Sequence, residues 1–342
     1  MRIVFKIYPQ RSHYNATFGL ARHFIDQGHE VIYAGILPLR SHVEAQGFTF
    51  HIEPEDFYPY VEQQTNRPKL TFWHIVRHWR EIKRSARFLR PRYTRGDSFN
   101  RLVRELKPDQ LMIDSPYTLL ALSLYKHGIP FSMIESMMNL NRAPGCPPLD
   151  TTYVPTGSRL SHLWCELHWR RYFLKRWILG KIGLRADFDR KFVLSLADSC
   201  GVEHSVINFD RYFHIGLRDR PEILLSPREL DFPRELEPHQ SYFEDTLDLN
   251  REESSADYAF GPVFERMQVD RRNGKPLVYC SLGTAGWRYQ GAEKFLREVI
   301  SGSAMKSWNL VISIGDTIAR ESLGVIPQNV GVFQSVPQLT VL

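Results

Sequence analysis

Short apolar runs alternate with amphipathic stretches along most of this chain. Residues 3–8 form one such run, and residues 16–27 follow with Phe18, Leu20, Ala21, Phe24 and Ile25 at helical spacing. Gly28 suits the end of that helix, and residues 30–34 read as the next strand. A short helix over 41–46 stops at Gly47, and residues 48–52 form a third strand. The pattern resumes at Pro108-Asp109, with a strand over 110–113, a helix over 117–127, Gly128 and a strand over 130–134. Strand and helix in this order predict an α/β fold: a parallel sheet with right-handed crossovers.

Further along, residues 139–156 are rich in proline and read as loop, and 160–179 as a helix rich in Trp and Arg. A short strand is expected over 222–226. Residues 233–274 are acidic, contain Ser and Pro, and have weak periodicity, so they read as an interdomain linker. After Gly274 the pattern returns: strands over 276–282, 308–314 and 329–333, and a helix over 290–301. The expected layout is a first domain over 1–232, a linker over 233–274 and the beginning of a second α/β domain over 275–342. A complete domain needs roughly 100 to 200 residues, so the second is expected to be cut short.

Chemistry-bearing residues gather where strands end. Ser12-His13-Tyr14-Asn15 follows the first strand, and Asp114 ends the strand over 110–113. Ligands and reacting groups collect at the carboxyl rim of open α/β sheets, so His13 and Asp114 can form a general base and its orienting partner. Asn15 or Thr17 could cap the following helix and place its positive end toward an anion, which favours the functional reading. Plainer roles exist for the other two: His13 can be a surface loop residue, and Asp114 can cap the helix after it. Ser281-Leu282-Gly283-Thr284 is a tight turn after a strand, where backbone amides and a hydroxyl could hold a phosphate. Asp187 and Asp189 could pair on a metal, but Arg185 and Arg190 beside them suit a solvated helix face. No His, Cys or carboxylate spacing matches a zinc site.

Composition narrows this picture only a little. The chain has 342 residues, 43% apolar and 24% charged, with a net charge of +6, which describes an ordinary globular protein of about two domains. Cys146, Cys165, Cys200 and Cys280 show no ligand spacing, which predicts a reduced, cytoplasmic setting. No apolar run approaches the roughly 18 residues of a membrane span. The N-terminal run carries Arg2 and Lys6, unlike the apolar core of a signal peptide.

Six stretches, taken in order, resemble one family. Residues 12–21 resemble the Gly-His-x-Asn-Pro opening of UDP-dependent family 1 glycosyltransferases, and Gly28-His29-Glu30-Val31 resembles their second-strand entry. Lys107-Pro108-Asp109 with Asp114 resembles the acceptor-domain strand and its catalytic Asp. Residues 222–227 with Gly261-Pro262 resemble the approach to the linker. Residues 276–284 resemble the strand and Ser-Leu-Gly-Ser/Thr loop that opens the donor domain. Asn329-Val330 with Val336-Pro337-Gln338-Leu339 resembles the start of the nucleotide-binding stretch.

The resemblance is to the bacterial macrolide and carotenoid type, related to UDP-glucuronosyltransferases. It implies a GT-B fold of two Rossmann-like domains, the second incomplete here, and inverting, metal-independent hexosyl transfer from a UDP-sugar to an acceptor hydroxyl. By the same resemblance His13 deprotonates the acceptor and Asp114 orients it. Gly283 and Thr284 sit by the diphosphate, and Val336 and Gln338 meet the uracil. The UDP-sugar is a co-substrate, and neither cofactor nor metal is expected. Ser12 and Ala16 depart from the usual Gly and Pro, and Ser335 stands where many members carry an aromatic. With the later donor segment missing, this length is expected to be weakly active or inactive. The alternative is a non-catalytic module for an apolar ligand, or a half-enzyme whose partner chain supplies the donor site.

Residues 73–95 and 159–181 interleave Arg and Lys with Trp, Tyr and Phe. Amphipathic helices with inward aromatics explain this. A peripheral contact with the inner face of a membrane is the sharper reading, and it suits a small lipophilic acceptor. No nucleic-acid-binding motif is present.

Overall fold

The computed structural model describes residues 1–53, 80, 97–181, 189–253, 257–283, 291–315 and 318–342. The basic segment over 73–95 lies outside them apart from Arg80, as do Asp187 and Thr284. The chain divides into two compact units, one holding the described residues up to Asp248 and one holding Leu249–Leu342.

In the first unit β1 (Arg2–Lys6), α1 (Arg11–Asp26), β2 (Glu30–Gly35), α2 (Leu37–Glu44) and β3 (Thr49–Ile52) follow in order. Then come α3 (Asp97–Leu106), β4 (Gln110–Asp114), a run of short helical turns over 115–127, and β5 (Phe131–Glu135). The chain continues through α4 (Arg159–Lys181), α5 (Arg190–Cys200), a small hairpin of β6 (Ile207–Asn208) and β7 (Gly216–Leu217), β8 (Glu222–Leu224) and β9 (Gln240–Tyr242). Seven strands form one parallel sheet in the order β3-β2-β1-β4-β5-β8-β9.

Alternation along each strand splits the core into two layers. Ile3 and Phe5 of β1, Val31 and Tyr33 of β2, Met112 of β4 and Ile134 of β5 pack with Tyr14, Phe18 and Ala21 of α1 and with Leu39 and Val43 of α2. Val4, Ile32, Leu111, Ile113, Phe131 and Met133 point the other way. They pack with Phe99 and Leu102 of α3, with 119–124 and with α5. Burial on both faces is why β1 and β4 read as unbroken apolar runs. Gly19 lets the chain near Asp245 cross α1 closely, since a Cβ there would lie 2.2 Å from the Asp245 carbonyl oxygen. Arg22 and Asp248 fasten the same crossing with a 2.6 Å ion pair.

The second unit contains α6 (Phe260–Arg272), β10 (Leu277–Ser281), α7 (Ala292–Ser303), β11 (Asn309–Ser313), β12 (Val330–Phe333) and a final turn, Gln338–Val341. Its three strands are parallel, in the order β10-β11-β12. Leu310 and Ile312 face Leu296 and Ile300 of α7, whereas Val311 faces Phe260, Phe264 and Met267 of α6.

Several boundaries differ from the sequence reading. The stretch 233–274 is not a plain linker. Its Gln240–Tyr242 strand extends the first sheet beside β8, and its Phe260–Arg272 helix covers one face of the second. Helix α1 starts at Arg11 rather than 16, with Gln10 before it and no side-chain cap, so Asn15 and Thr17 are not capping residues. Asp189 accepts from the Phe192 amide and caps α5, whereas Asp187 lies outside the described residues.

Candidate active site

The strand order reverses between β1 and β4. From β1 the chain winds outward through β2 and β3, then returns to place β4 on the other side of β1. Such a switch point opens a crevice at the carboxyl ends of the strands. His13 follows β1, in the first turn of α1 rather than on a loop, and Asp114 is the last residue of β4. Strand parity brings them together. Asp114 is in step with Met112, so it points to the face that α1 covers.

His13 Nδ1 lies 2.7 Å from Asp114 Oδ2. The same carboxylate oxygen accepts from the Tyr8 amide at 3.0 Å, and Asp114 makes no capping bond to the turn that follows it. The Asp114 side chain is fully buried and His13 keeps 16% of its side-chain surface. The Tyr8 ring sits 5.1 Å from the imidazole. Burial pulls the His13 pKa down, but the charge and hydrogen bond of Asp114 and the charge of Glu135 outweigh it, and the net shift is upward from 6.5. Since Nδ1–H faces a carboxylate, Nε2 carries the lone pair and can take a proton from a substrate hydroxyl.

Ser136 completes the group, and the sequence reading missed it. Its hydroxyl oxygen lies 2.8 Å from His13 Nδ1 and 3.4 Å from Asp114 Oδ1. One arrangement satisfies all three: Nδ1–H is shared between Asp114 and Ser136, and the Ser136 hydroxyl donates to Asp114. The signal was in the alternation of β5. Ile134 faces α1, so Ser136 two residues on falls on the same side.

Glu135 between them points to the opposite face and enters a closed network. Arg211 donates to Glu135 at 2.9 Å and to Glu222 at 2.6 Å, and Gln240 donates to the second oxygen of Glu222 at 2.6 Å. The Met137 amide reaches the other oxygen of Glu135 at 3.1 Å. One guanidinium serves two carboxylates, and they divide its effect. Burial pushes Glu135 up to about 7, against the pull of Arg211. Glu222, although buried, is held below the usual range by Arg211 and Gln240. Lys6 and Glu53 form a further buried ion pair at the ends of β1 and β3.

In the second unit Gly283 and Val336 follow β10 and β12, and Gln338 begins the final turn, at the carboxyl rim of that sheet. Gly283 has φ +69°, a left-handed conformation that favours glycine, and its amide bonds Ser281 Oγ at 3.2 Å. Val336 packs beside Phe333, whereas Gln338 is exposed. Gly315, at the end of the intervening β11, shares this rim with φ +66° and donates to the Gln334 carbonyl at 2.9 Å. It was not singled out from sequence.

No family model matches the chain. Over 78 residues it is 40% identical to the NDP-glycosyltransferase YjiC of Bacillus subtilis, covering 23% of this chain and 19% of the relative. Over 131 residues it is 25% identical to the NDP-glycosyltransferase YjiC of Bacillus licheniformis, covering 35% and 30%. The matched stretches therefore span less than a third of either relative.

Among solved structures, the glycotransferase of kitacinnamycin aligns over 99% of this chain and 72% of its own, with TM-score 0.62 and 19% identity. The calicheamicin glycosyltransferase CalG4 aligns over the same shares, with TM-score 0.56 and 16% identity. The fold is GT-B. The first GT-B domain carries His13, Asp114 and Ser136, and the rim with Gly283, Val336 and Gln338 belongs to the described part of the second. The relatives found by sequence are glycosyltransferases, as the family 1 resemblance leads one to expect.

Proposed function

We propose that this protein transfers a hexosyl group, with inversion and without a metal, from a UDP-sugar to a hydroxyl of a small lipophilic acceptor. The observation that carries the reading is the 2.7 Å bond between His13 and Asp114 at the switch point of the sheet. An alcohol is a poor nucleophile near neutrality, so a placed base must take its proton as the new C–O bond forms. In this reading the acceptor proton passes to His13 Nε2 and the acceptor oxygen attacks the anomeric carbon. The bond from that carbon to the diphosphate breaks, and UDP leaves with the electron pair. The buried charge of Asp114 steadies the imidazolium that results.

For the donor side, support comes from the left-handed turn at Gly283 and from relatives named as NDP-glycosyltransferases. Similar folds have been solved with nucleoside diphosphates: VinC in complex with dTDP and SpnG complexed with thymidine diphosphate. Gly283 and Thr284 are assigned to the diphosphate, and Val336 and Gln338 to the uracil. The four cysteines are free thiols, in keeping with a cytoplasmic setting. Among the described residues no helix is long and apolar enough to cross a membrane. A peripheral contact with the inner face would bring a lipophilic acceptor within reach.

The test is transfer from radiolabelled UDP-glucose to a panel of lipophilic alcohols and phenols, with dTDP-glucose as competitor. His13→Ala should lower transfer about 10²- to 10⁴-fold while acceptor binding, read by intrinsic fluorescence, stays within about twofold. Equal product from the variant and the parent protein would sink the assignment of His13. Acceptor binding without transfer by the parent protein would favour a carrier, or a half-enzyme whose donor site comes from a partner chain.

A further inference from the structure

Helix α4 presents two apolar faces, and the described residues cover only one of them. Ser161, Cys165, Trp169, Tyr172 and Arg176 face inward. Trp169 Nε1 donates to the Cys146 carbonyl at 2.7 Å, the Tyr172 and Tyr212 rings lie 4.6 Å apart, and Arg176 donates to the Arg211 carbonyl at 2.9 Å. These contacts fasten the helix to the first unit. On the opposite side Leu163, Trp164, Leu167, Leu174, Trp177 and Ile178 are all exposed, each keeping 43% or more of its surface. They fall on one side of the helix as a stripe of two clusters, 163–167 and 174–178, seven residues apart at Leu167 and Leu174. At 23 residues the helix is about 35 Å long, so the stripe is long enough to lie flat along a surface.

The charges beside the stripe select what covers it. Arg170, Arg171, Lys175 and Lys181 lie on or next to it and are exposed. Among the described residues none of the four pairs with a carboxylate. The one acid in the helix, Glu166, is half-buried and paired with Arg142. A second copy of this helix would set cations against cations, in either orientation. A negatively charged lipid surface meets the same face with opposite charge, takes Trp at its interface, and lets the Arg and Lys stems lie along apolar surface with their heads outward. Beside the helix, a polar pocket of about 270 Å³ is lined by His168, Arg171, Tyr172 and Lys175 together with Asp150, Thr151 and Thr152. Two cations and three hydroxyls, set against the single carboxylate of Asp150, suit a phosphate headgroup.

We propose that the outward face of α4 docks this protein on an anionic lipid bilayer, with Trp164 and Trp177 in the interface and Arg171 and Lys175 on headgroup phosphates. This docking face gives a place to the peripheral membrane contact of the proposed function and rests on that part of the reading, while its test involves no transfer step.

The full chain is floated with vesicles of phosphatidylcholine alone or of phosphatidylcholine with phosphatidylglycerol. Partitioning should be at least about tenfold stronger on the anionic vesicles, fall with added salt, and shift tryptophan emission to the blue. The double variant Trp164→Ser/Trp177→Ser should lose most of this binding at unchanged melting temperature, because both rings are already exposed. Arg171→Gln and Lys175→Gln should each weaken it about fivefold. No vesicle binding, equal binding to neutral vesicles, or full binding by the Trp variant would overturn the proposal. So would a concentration-dependent dimer, seen by light scattering, that the Trp variant dissolves.

Discussion

Asp114 and Glu135 close neighbouring strands of one sheet, and each faces a nitrogen base, yet they do different work. Asp114 holds His13, a titratable partner that still reaches solvent. Glu135 holds Arg211, permanently charged and enclosed with Glu222. The difference comes from strand parity. Asp114 falls on the face covered by α1, whose first turn opens at the rim. Glu135 falls on the other face and meets Arg211 from the loop that joins β6 to β7. A carboxylate at a strand end is therefore a candidate site residue or a brace according to which face its side chain takes. Distance along the rim does not decide it.

The largest effect that would break this comparison is expected at the brace. Arg211→Met leaves Glu135 and Glu222 buried without a cation, which costs about 3–5 kcal/mol. Urea unfolding at pH 8 should show the unfolding free energy fall by that amount, and at pH 5, where the carboxylates protonate more readily, by less. An Arg211→Met variant as stable as the parent at pH 8 would mean that the network does not hold the β5–β8 edge together.

At the site pair, Asp114→Asn should barely move the melting temperature but should lower transfer about 10²-fold or more. Its pH signature is distinct. His13 is raised above 6.5 chiefly because the charge and hydrogen bond of Asp114 overcome burial, and an imidazole can serve as the proposed base only when neutral. Activity should therefore rise with pH through that raised pKa in the parent. In the variant the same limb should move to lower pH. An NMR titration of the His13 ring gives the midpoint directly, and an unmoved midpoint would refute the assignment of Asp114.

The two pairs also separate in stability against pH. Glu135 sits at about 7 in the folded protein against an ordinary 4.5. Between those values the folded state keeps a proton that the unfolded chain has released, so this group favours folding at low pH and its contribution fades as pH rises through 7. His13, also raised, contributes fully below 6.5 and loses that contribution as pH rises through its folded value. Both slopes run the same way. Glu135→Gln should flatten the curve between 4.5 and 7 and leave the part above 6.5, whereas His13→Gln should do the reverse. Unfolding midpoints from pH 5 to 8.5 would separate them, and identical curves for both variants would refute the division.

Most of the first sheet was legible in sequence because buried parallel strands are continuous apolar runs. Residues 3–8 and 110–113 locate β1 and β4, and their ends locate His13 and Asp114. What escaped had no such run. Gln240–Tyr242 is three residues of polar sequence that become a strand only by pairing with β8. Phe260–Arg272 buries three apolar side chains among many polar ones. Arg211 looks like any surface arginine until the fold closes over it, since nothing local marks a cation whose partners lie 11 and 76 residues away. The start of α1 was misplaced because its first turn, Arg11 to Tyr14, is polar apart from the tyrosine and carries no side-chain cap.

The smallest effect belongs to Ser136, and it sharpens the comparison most. Its hydroxyl lies within hydrogen-bond reach of His13 Nδ1 and Asp114 Oδ1 but carries no charge. If it only positions the imidazole, Ser136→Ala should cost its contact with His13 and its long hydrogen bond to Asp114, about two- to tenfold in kcat, with KM unchanged. The pH midpoint of His13 should stay near that of the parent, because the Asp114 charge remains. Ser136→Thr, which keeps the hydroxyl, should recover most of the loss. A Ser136→Ala variant with the midpoint displaced as far as in Asp114→Asn would instead make the serine an equal partner in setting the charge of the base. The contrast drawn between the two strand ends would then rest on a triad rather than on a pair.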